Sequence, residues 1–536
     1  MTAAVSAPAA TIPDGPEPTA RRQWAPVLLL AAIAAIAAVV VAHRLFPLYS
    51  LNRDDSVYTA MARLLEEGKA SLPLSHWQFR PWASGAVGDR IVLKYTPPWP
   101  TVLAVSDKLT GTPRTALAAV AATTVVAVHA LALEVLRDQR RALLAAALMV
   151  LSPIFVFQSA TFLPYLFSLL LGTSATFLLL SGVRQTSSRR IVLAGLLAAL
   201  AAFARQFDAV LVISPAVIAV LIAERHSRRL LRRAGVQFLA GALPVVAVML
   251  IYDWRVMGGP FRLPFNVTGS ADAFGFGDRG VFESSTLDFD FGDGLAGLGQ
   301  CMQWFITWLP GGIVFVVLMM LGLAHSLRRG TGLGRWVAAS WLLVIPVGYL
   351  FFWGPWAMSY NWKGVQAFGP FYHLPMLVPA VIFAADGALW SYEMLRRRRL
   401  GALVGVLALV MVLLTVLTIG DKAKYSDRAT RDYRSARSAV QRAGLSQAVL
   451  FLPLRGESGF LSVTPFLENR PSLDQSVLYA EDCGTTADRA LLDRFPGRSG
   501  YRLVIVEGSR PRRAGRYEVR PLEGPDTPAP EGCAQP

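Results

Sequence analysis

The sequence predicts a polytopic α-helical membrane protein of about eleven transmembrane helices, followed by a small α/β domain. Three observations carry this. Hydrophobic residues make up 54% of the chain and charged residues only 16%, where an ordinary soluble chain holds about 25% charged. Apolar runs long enough to cross a bilayer recur between residues 25 and 420. Beyond residue 420 the pattern changes to mixed charge with short apolar runs. The mean hydropathy is +0.43 and the isoelectric point ≈ 10.1. A net charge of +16 would point to nucleic acid in a soluble protein. Here the excess is mostly Arg in short gaps between apolar runs, which is a topology signal and excludes nucleic acid as the partner. Three cysteines in 536 residues furnish neither a disulfide framework nor a zinc site of the usual spacing.

In chain order, residues 1–23 are rich in Ala, Pro and Thr, with too little apolar surface to fold, and read as a disordered cytoplasmic tail. Arg21 and Arg22 precede the first apolar run, 25–42. Val40-Val41-Ala42 could end a signal peptide, but the run is longer than a usual signal core, so an uncleaved first span is expected. Further runs follow at 115–136, 142–160, 163–183, 191–204, 208–223, 235–252, 303–324, 336–353, 370–391 and 401–420. Residues 97–109 are also apolar but too short to span.

The gaps set the orientation. Arg137, Arg140 and Arg141, then Arg184, Arg189 and Arg190, then Arg225 to Arg233, then Arg328, Arg329 and Arg335, and finally Arg396 to Arg399 occupy one set. The alternate gaps, 44–114, 253–302 and 354–369, are long and mixed in charge. Eleven spans satisfy the positive-inside rule at every gap with the N-terminus cytoplasmic. The transmembrane domain is then 24–420 in the plasma (inner) membrane, with 421–536 as an extracytoplasmic domain. In that domain 435–443 reads as a helix, and 448–452 and 503–506 read as strands. Cys483 and Cys533 both fall outside, where a disulfide between them is expected.

Three pieces of external sequence carry chemistry. Directly after the first span, Arg53-Asp54-Asp55 opens a helical pattern that places Val57, Tyr58, Met61, Leu64 and Leu65 on one side. This suits a helix lying in the membrane interface, apolar side down, with two carboxylates at its N-terminal end. Helix capping is the alternative, since Asp is a favoured N-cap, but capping accounts for only one of the two. Lys94-Tyr95-Thr96-Pro97-Pro98 holds an ammonium near the interface on a backbone stiffened by proline, where it meets a lipid phosphate or merely snorkels. Arg205, in the shortest external turn, runs against the charge bias of the chain. It either pairs with Asp208 or holds an anion. Weaker external candidates are Arg80, Arg262, Lys363 and His373, while Asp272, Asp278, Asp288, Asp290 and Asp293 lack the spacing of a calcium loop.

The acidic pair, the interfacial helix and the Lys94-Tyr95-x-Pro97-Pro98 lead-in together resemble the polyprenyl-phosphate-sugar-dependent glycosyltransferases of the GT-C fold. That family includes protein O-mannosyltransferases and lipid A aminoarabinose transferases. Phe203-Ala204-Arg205 is similar to the family's arginine-proline turn, with Gln206 in place of proline. Gly369-Pro370-Phe371-Tyr372-His373-Leu374-Pro375 is similar to its Gly-x-Arg-Tyr-x-x-Pro segment, with Phe371 where Arg is usual. The likeness covers about residues 20–420. The C-terminal domain resembles extracytoplasmic modules of cell-wall enzymes in mycobacteria-like bacteria.

The resemblance implies an inverting transfer from a polyprenyl-phosphate sugar to a hydroxyl of an extracytoplasmic glycan, lipid or protein. Asp54 or Asp55 would serve as the base, and Lys94, Tyr95, Arg205, Arg80, Tyr58, Lys363 and His373 would line the substrate site. The chemistry agrees: an acceptor hydroxyl needs a proton acceptor, and a departing lipid phosphate needs cations rather than an acid. No cofactor is assigned, and a divalent metal at the second carboxylate stays open. A secondary transporter would place its ionisable groups at mid-membrane and repeat them in two halves, and neither feature is present. A non-catalytic scaffold for envelope assembly is the third reading.

Overall fold

The computed structural model describes residues 20–50, 52–282, 286–330, 332–362, 364–397, 399–453, 469–508 and 513–522. Every apolar run read from the sequence lies in a helix or a closely broken pair of helices. Among the described residues, seven helices are long and apolar enough to cross a membrane: Trp24–Leu45, Arg114–Leu136, Tyr165–Arg184, Gln206–Ala223, Arg228–Met257, Val365–Arg397 and Ala402–Arg428. Ile313–Arg328 and Leu333–Tyr349 are shorter apolar helices, and Ser188–Ala204 packs between its neighbours.

Two runs depart from simple spans. The run 142–160 breaks into Gln139–Leu151 and Pro153–Gln158. Pro153 lacks an N–H, which ends the first helix. The carbonyl of Trp308 takes up the loose end, accepting from the Ile154 amide at 3.3 Å and the Ser152 hydroxyl at 3.4 Å. The run 303–324 joins the end of Phe291–Thr307 to Ile313–Arg328, because Pro310-Gly311-Gly312 turns the chain between them. Close crossings rely on glycine: a Cβ at Gly322 would lie 1.8 Å from the Phe383 carbonyl oxygen, and one at Gly387 would lie 2.0 Å from that of Leu318. Small residues of this kind let membrane helices approach backbone to backbone.

The two ends of the bundle differ. At one end Glu134 binds Arg184 and Arg137, and Asp386 binds Arg141 and His325. These are the Arg-rich gaps of the sequence. The opposite end carries the long loops, two small sheets and the C-terminal domain. In the first loop the strands Leu72–Pro73, Ser84–Val87 and Arg90–Leu93 form an antiparallel sheet with Arg90–Leu93 in the middle. The apolar side of the helix Asp54–Glu66, expected to meet the membrane interface, is packed against protein. Its Val57, Met61 and Leu64 pack on this sheet, while Tyr58 and Ala62 join the bundle core. The reason is that the loop folds back over the helix and covers its apolar side with Trp77, Ile91 and Leu93.

The C-terminal domain has a four-stranded sheet in the order Val477–Glu481, Ala448–Leu452, Ser499–Glu507, Arg516–Pro521. The first three strands are parallel and the last is antiparallel. The helix Arg431–Arg442 packs on it. Both strands and the helix read from the sequence are present; the two remaining strands, Val477–Glu481 and Arg516–Pro521, are additions to that reading, the second because charged residues interrupt its apolar ones. Cys483 is disulfide-bonded and Cys301 is free. Cys533, the expected partner of Cys483, lies outside the described residues.

Candidate active site

A cavity of about 830 Å³ opens between the bundle and its external loops, within the size range of small-molecule sites. Asp54 stands in its wall together with Tyr58, Lys94, Tyr95 and Arg205. Five residues spread over 150 positions of sequence thus converge at one place.

Local structure explains each placement. Asp54 begins its helix without capping it. The Asn52 side chain takes the Asp54 amide at 3.0 Å, and no side-chain cap bond comes from the N-cap residue Arg53. Asp55 caps nothing either: it is fully buried, and its Oδ2 accepts the Ser50 amide at 2.8 Å. The capping alternative therefore does not account for the acidic pair. The two carboxylates do different work, one in the cavity wall and one locking the chain behind it. Burial raises both carboxyls above the usual range, Asp55 to about 7. The Tyr95 hydroxyl bonds Asp54, and the Lys94 charge also favours its ionised form. Tyr95 stacks on Tyr58 at 4.3 Å between centroids, which fixes the phenol that meets Asp54.

Lys94 follows the strand Arg90–Leu93 directly. Its ammonium forms an ion pair with Asp272, lies 4.5 Å from the centre of the Phe265 ring, and is nearly inaccessible at 3% exposure. Asp272 uses its other oxygen to accept the Trp353 indole N–H at 2.9 Å. Arg205 ends one helix and starts the next in extended backbone. Its Nε pairs with Asp208, which also accepts the Tyr349 hydroxyl, and its guanidinium sits 4.1 Å over the Tyr165 ring. Of the two readings of Arg205, the pair with Asp208 is formed, and the residue also lines the cavity. Around these groups the wall is aromatic, with Trp82, Phe274, Phe352, Trp353 and Tyr372.

The fold recurs in solved structures. ArnT from Cupriavidus metallidurans, bound to undecaprenyl phosphate, aligns with a TM-score of 0.56 at 13% identity, over 93% of this chain and 99% of its own. Its apo form gives 0.55 at 14% identity, over 95% and 100%. The apo oligosaccharyltransferase of Archaeoglobus fulgidus gives 0.53 at 10% identity, over 91% of this chain and 70% of its own.

The fold is GT-C.

Within the GT-C fold, residues 98–252 match the family model for dolichyl-phosphate-mannose-protein mannosyltransferase. Residues 448–523 match a domain of unknown function. A sequence search of curated proteins finds no match.

Not every expected site residue reaches the cavity. Asp55 is behind the wall. Arg80 is turned away from the cavity and pairs with Glu481 of the C-terminal domain at 2.6 Å. His373 is fully buried, because the turn Phe371–Met376 gives Phe371 and Tyr372 to the cavity and rotates the histidine toward the Tyr349 ring, 5.5 Å away. Lys363 lies outside the described residues. Of the loop aspartates, Asp290 and Asp293 form a capping box on Phe291–Thr307, and Asp272 belongs to the Lys94 pair. Among the described residues no three His, Cys, Asp or Glu converge as a metal site. Asp272, Asp208, Tyr165, Tyr349 and Trp353 were missed as site residues. Asp208 alone had a signal, its spacing three residues after Arg205; Asp272 was one of five similar loop aspartates.

Proposed function

We propose that the protein is an integral-membrane glycosyltransferase that moves a sugar from a polyprenyl-phosphate donor to a hydroxyl on an extracytoplasmic glycan, lipid or protein. The observation that carries this reading is Asp54 in the wall of the 830 Å³ cavity beside two cationic side chains, Lys94 and Arg205. The cavity lies at the loop-bearing end of the bundle, where a lipid-linked phosphate and a polar acceptor can both arrive. The undecaprenyl phosphate bound to ArnT and the mannosyltransferase match favour a lipid phosphate as carrier.

In this reading the acceptor oxygen bonds to the anomeric carbon as the bond from that carbon to the phosphate oxygen breaks. Asp54 takes the acceptor's proton, and the polyprenyl phosphate leaves as an anion. A single displacement from the opposite face inverts the anomeric centre. The leaving group is already a stable anion, so no acid is needed. Arg205 gives its Nε to Asp208 and also bonds the Tyr349 side chain, and a guanidinium carries five N–H donors, so it retains donors for phosphate. Lys94 adds a second cationic side chain to the same wall. Tyr95 holds Asp54 in place, and the aromatic wall excludes water from the transfer. Burial raises Asp54 above the ordinary carboxylate range, which makes it a stronger base and ties activity to pH: transfer falls as pH drops through that raised value.

Asn at position 54 keeps size and hydrogen bonding but accepts no proton. Asp54→Asn is expected to lose ~10²–10⁴-fold in transfer rate, and Asp55→Asn to retain transfer, with both proteins folded in the membrane. Parental turnover of a lipid-linked sugar by Asp54→Asn would remove the base from this scheme.

A further inference from the structure

We propose that the C-terminal domain is a clamp on the first external loop, and that Arg80 and Glu481 are positioning residues that set Lys94 and Trp82 in the cavity wall. The catalytic meaning of this clamp rests on the function proposed above.

In open sheets with parallel strands, ligands bind beyond the carboxyl ends of the strands. In this domain a segment of the chain already sits there. Strand Val477–Glu481 ends at Glu481, whose carboxylate meets Arg80 at 2.6 Å with both side chains largely buried, 12% and 4% exposed. The Glu481 carbonyl accepts the Gln78 amide at 3.3 Å, and Asp488 Oδ1 accepts it at 3.3 Å as well. Asp488 is held in turn by Arg502 at 2.9 Å. Between Gln78 and Arg80, Phe79 is buried with Val449, Phe451 and Leu478 of the sheet, and it meets Phe495 edge-on at 5.6 Å. Arg494 closes the far side on the Ser75 carbonyl at 2.9 Å. A buried ion pair, an amide and an aromatic plug fix three consecutive residues, which leaves this edge of the domain occupied by its own chain.

The next residues lead straight to the cavity. Trp82 lines it. Ser84 donates to the Pro81 carbonyl at 2.5 Å, and the Lys94 amide donates to the Ala83 carbonyl at 3.0 Å. Strand Ser84–Val87 pairs with Arg90–Leu93, with Ser84 opposite Leu93, the residue before Lys94. Three residues of chain, Pro81 to Ala83, and one hydrogen bond therefore link the clamped segment to the backbone that aims Lys94 at Asp272. A buried pair of charges suits this task, because losing one partner strands the other and makes the docked geometry all-or-none.

The test uses the full chain in lipid nanodiscs, with hydrogen exchange over residues 82–94 and donor KM and kcat as separate readouts. Arg80→Gln and Glu481→Gln are each expected to speed exchange of the 82–94 amides and to raise donor KM about tenfold with kcat within about twofold. That split marks a displaced binding group rather than a damaged base. Arg80→Lys, which keeps the charge, is expected to recover most of the KM. Gln78→Ala leaves no buried charge unpaired and serves if the charge variants fail to fold; it should shift both readouts in the same direction by less. Unchanged exchange over 82–94 in all foldable variants, with fraying confined to 75–80, overturns the clamp. Faster exchange in a protein whose parent transfers no sugar would keep the clamp and sink the proposed function. Parental donor KM together with faster exchange would show that the clamp does not reach the site, and overturns it too.

Discussion

Lys94 and Asp272 offer a clear separation of structure from binding. The pair is buried, with 3% and 4% exposure, and Asp272 is further tied to Trp353. Removing one partner of such a pair strands a charge and costs about 3–5 kcal/mol in stability, whereas removing both can be close to neutral. Lys94→Met and Asp272→Asn should therefore each lower the thermal midpoint strongly, and the double variant should recover much of the loss. Their effects on the donor should differ. Lys94→Met deletes a cation from the wall, and a hydrogen bond to a charged group is worth about 1.5–3 kcal/mol, which predicts a donor KM raised roughly 10- to 100-fold. Asp272→Asn keeps the ammonium and frees it from its carboxylate, so donor KM should hold or fall. The assay is thermal unfolding in nanodiscs alongside steady-state transfer with a synthetic polyprenyl-phosphate sugar. Equal increases in donor KM for the two single variants would mean that Lys94 acts only through its ion pair, and the phosphate role given to it would be wrong.

Other expectations are shorter. Burial raises Asp55 to about 7 from 3.8, so the folded state holds its proton more tightly than the unfolded chain does. This contribution is complete below the unfolded value and fades as pH rises through about 7. Asp55→Asn removes the titration, and its midpoint should rise relative to the parent on going from acid to alkaline buffer; a parallel pair of curves would refute this. Arg205→Gln should weaken donor use while leaving Lys94 as a second cation in the wall, and because it removes the charged partner of buried Asp208 it should also lower the midpoint. A reporter that works only outside the cytoplasm, fused after residue 425, should be active; a cytoplasmic signal there would overturn the orientation and move the cavity to the other face.

The span pattern was legible because apolar length and Arg placement are local properties of the sequence. Each run from 25–42 to 401–420 is helical for that reason. The site was legible where residues broke the chain's own pattern: an acidic pair beside a span, Arg205 on the sparsely charged side, Lys94 before a double proline. It was not legible where a partner came from a distant loop. Asp272 sits 178 positions from Lys94, and no spacing rule connects them. Arg80 was misjudged for the same reason, since its partner Glu481 belongs to another domain. His373 was misjudged by register: a single 3-10 turn decides which side chains of 371–373 reach the cavity, and a sequence motif does not specify that rotation. The separate roles of Asp54 and Asp55 came only from Ser50, whose amide draws Asp55 inward.

The central claim is that the cavity transfers a sugar off a polyprenyl phosphate with Asp54 as base. The most direct measurement incubates the purified full chain in vesicles with a polyprenyl-phosphate sugar and a hydroxyl acceptor. It follows free polyprenyl phosphate by mass spectrometry and the anomeric configuration of the product by NMR. The account predicts release of the lipid phosphate by the parent, a product of inverted configuration, and release reduced ~10²–10⁴-fold in Asp54→Asn. A product that retains the donor's configuration, or equal release from parent and Asp54→Asn, would contradict it.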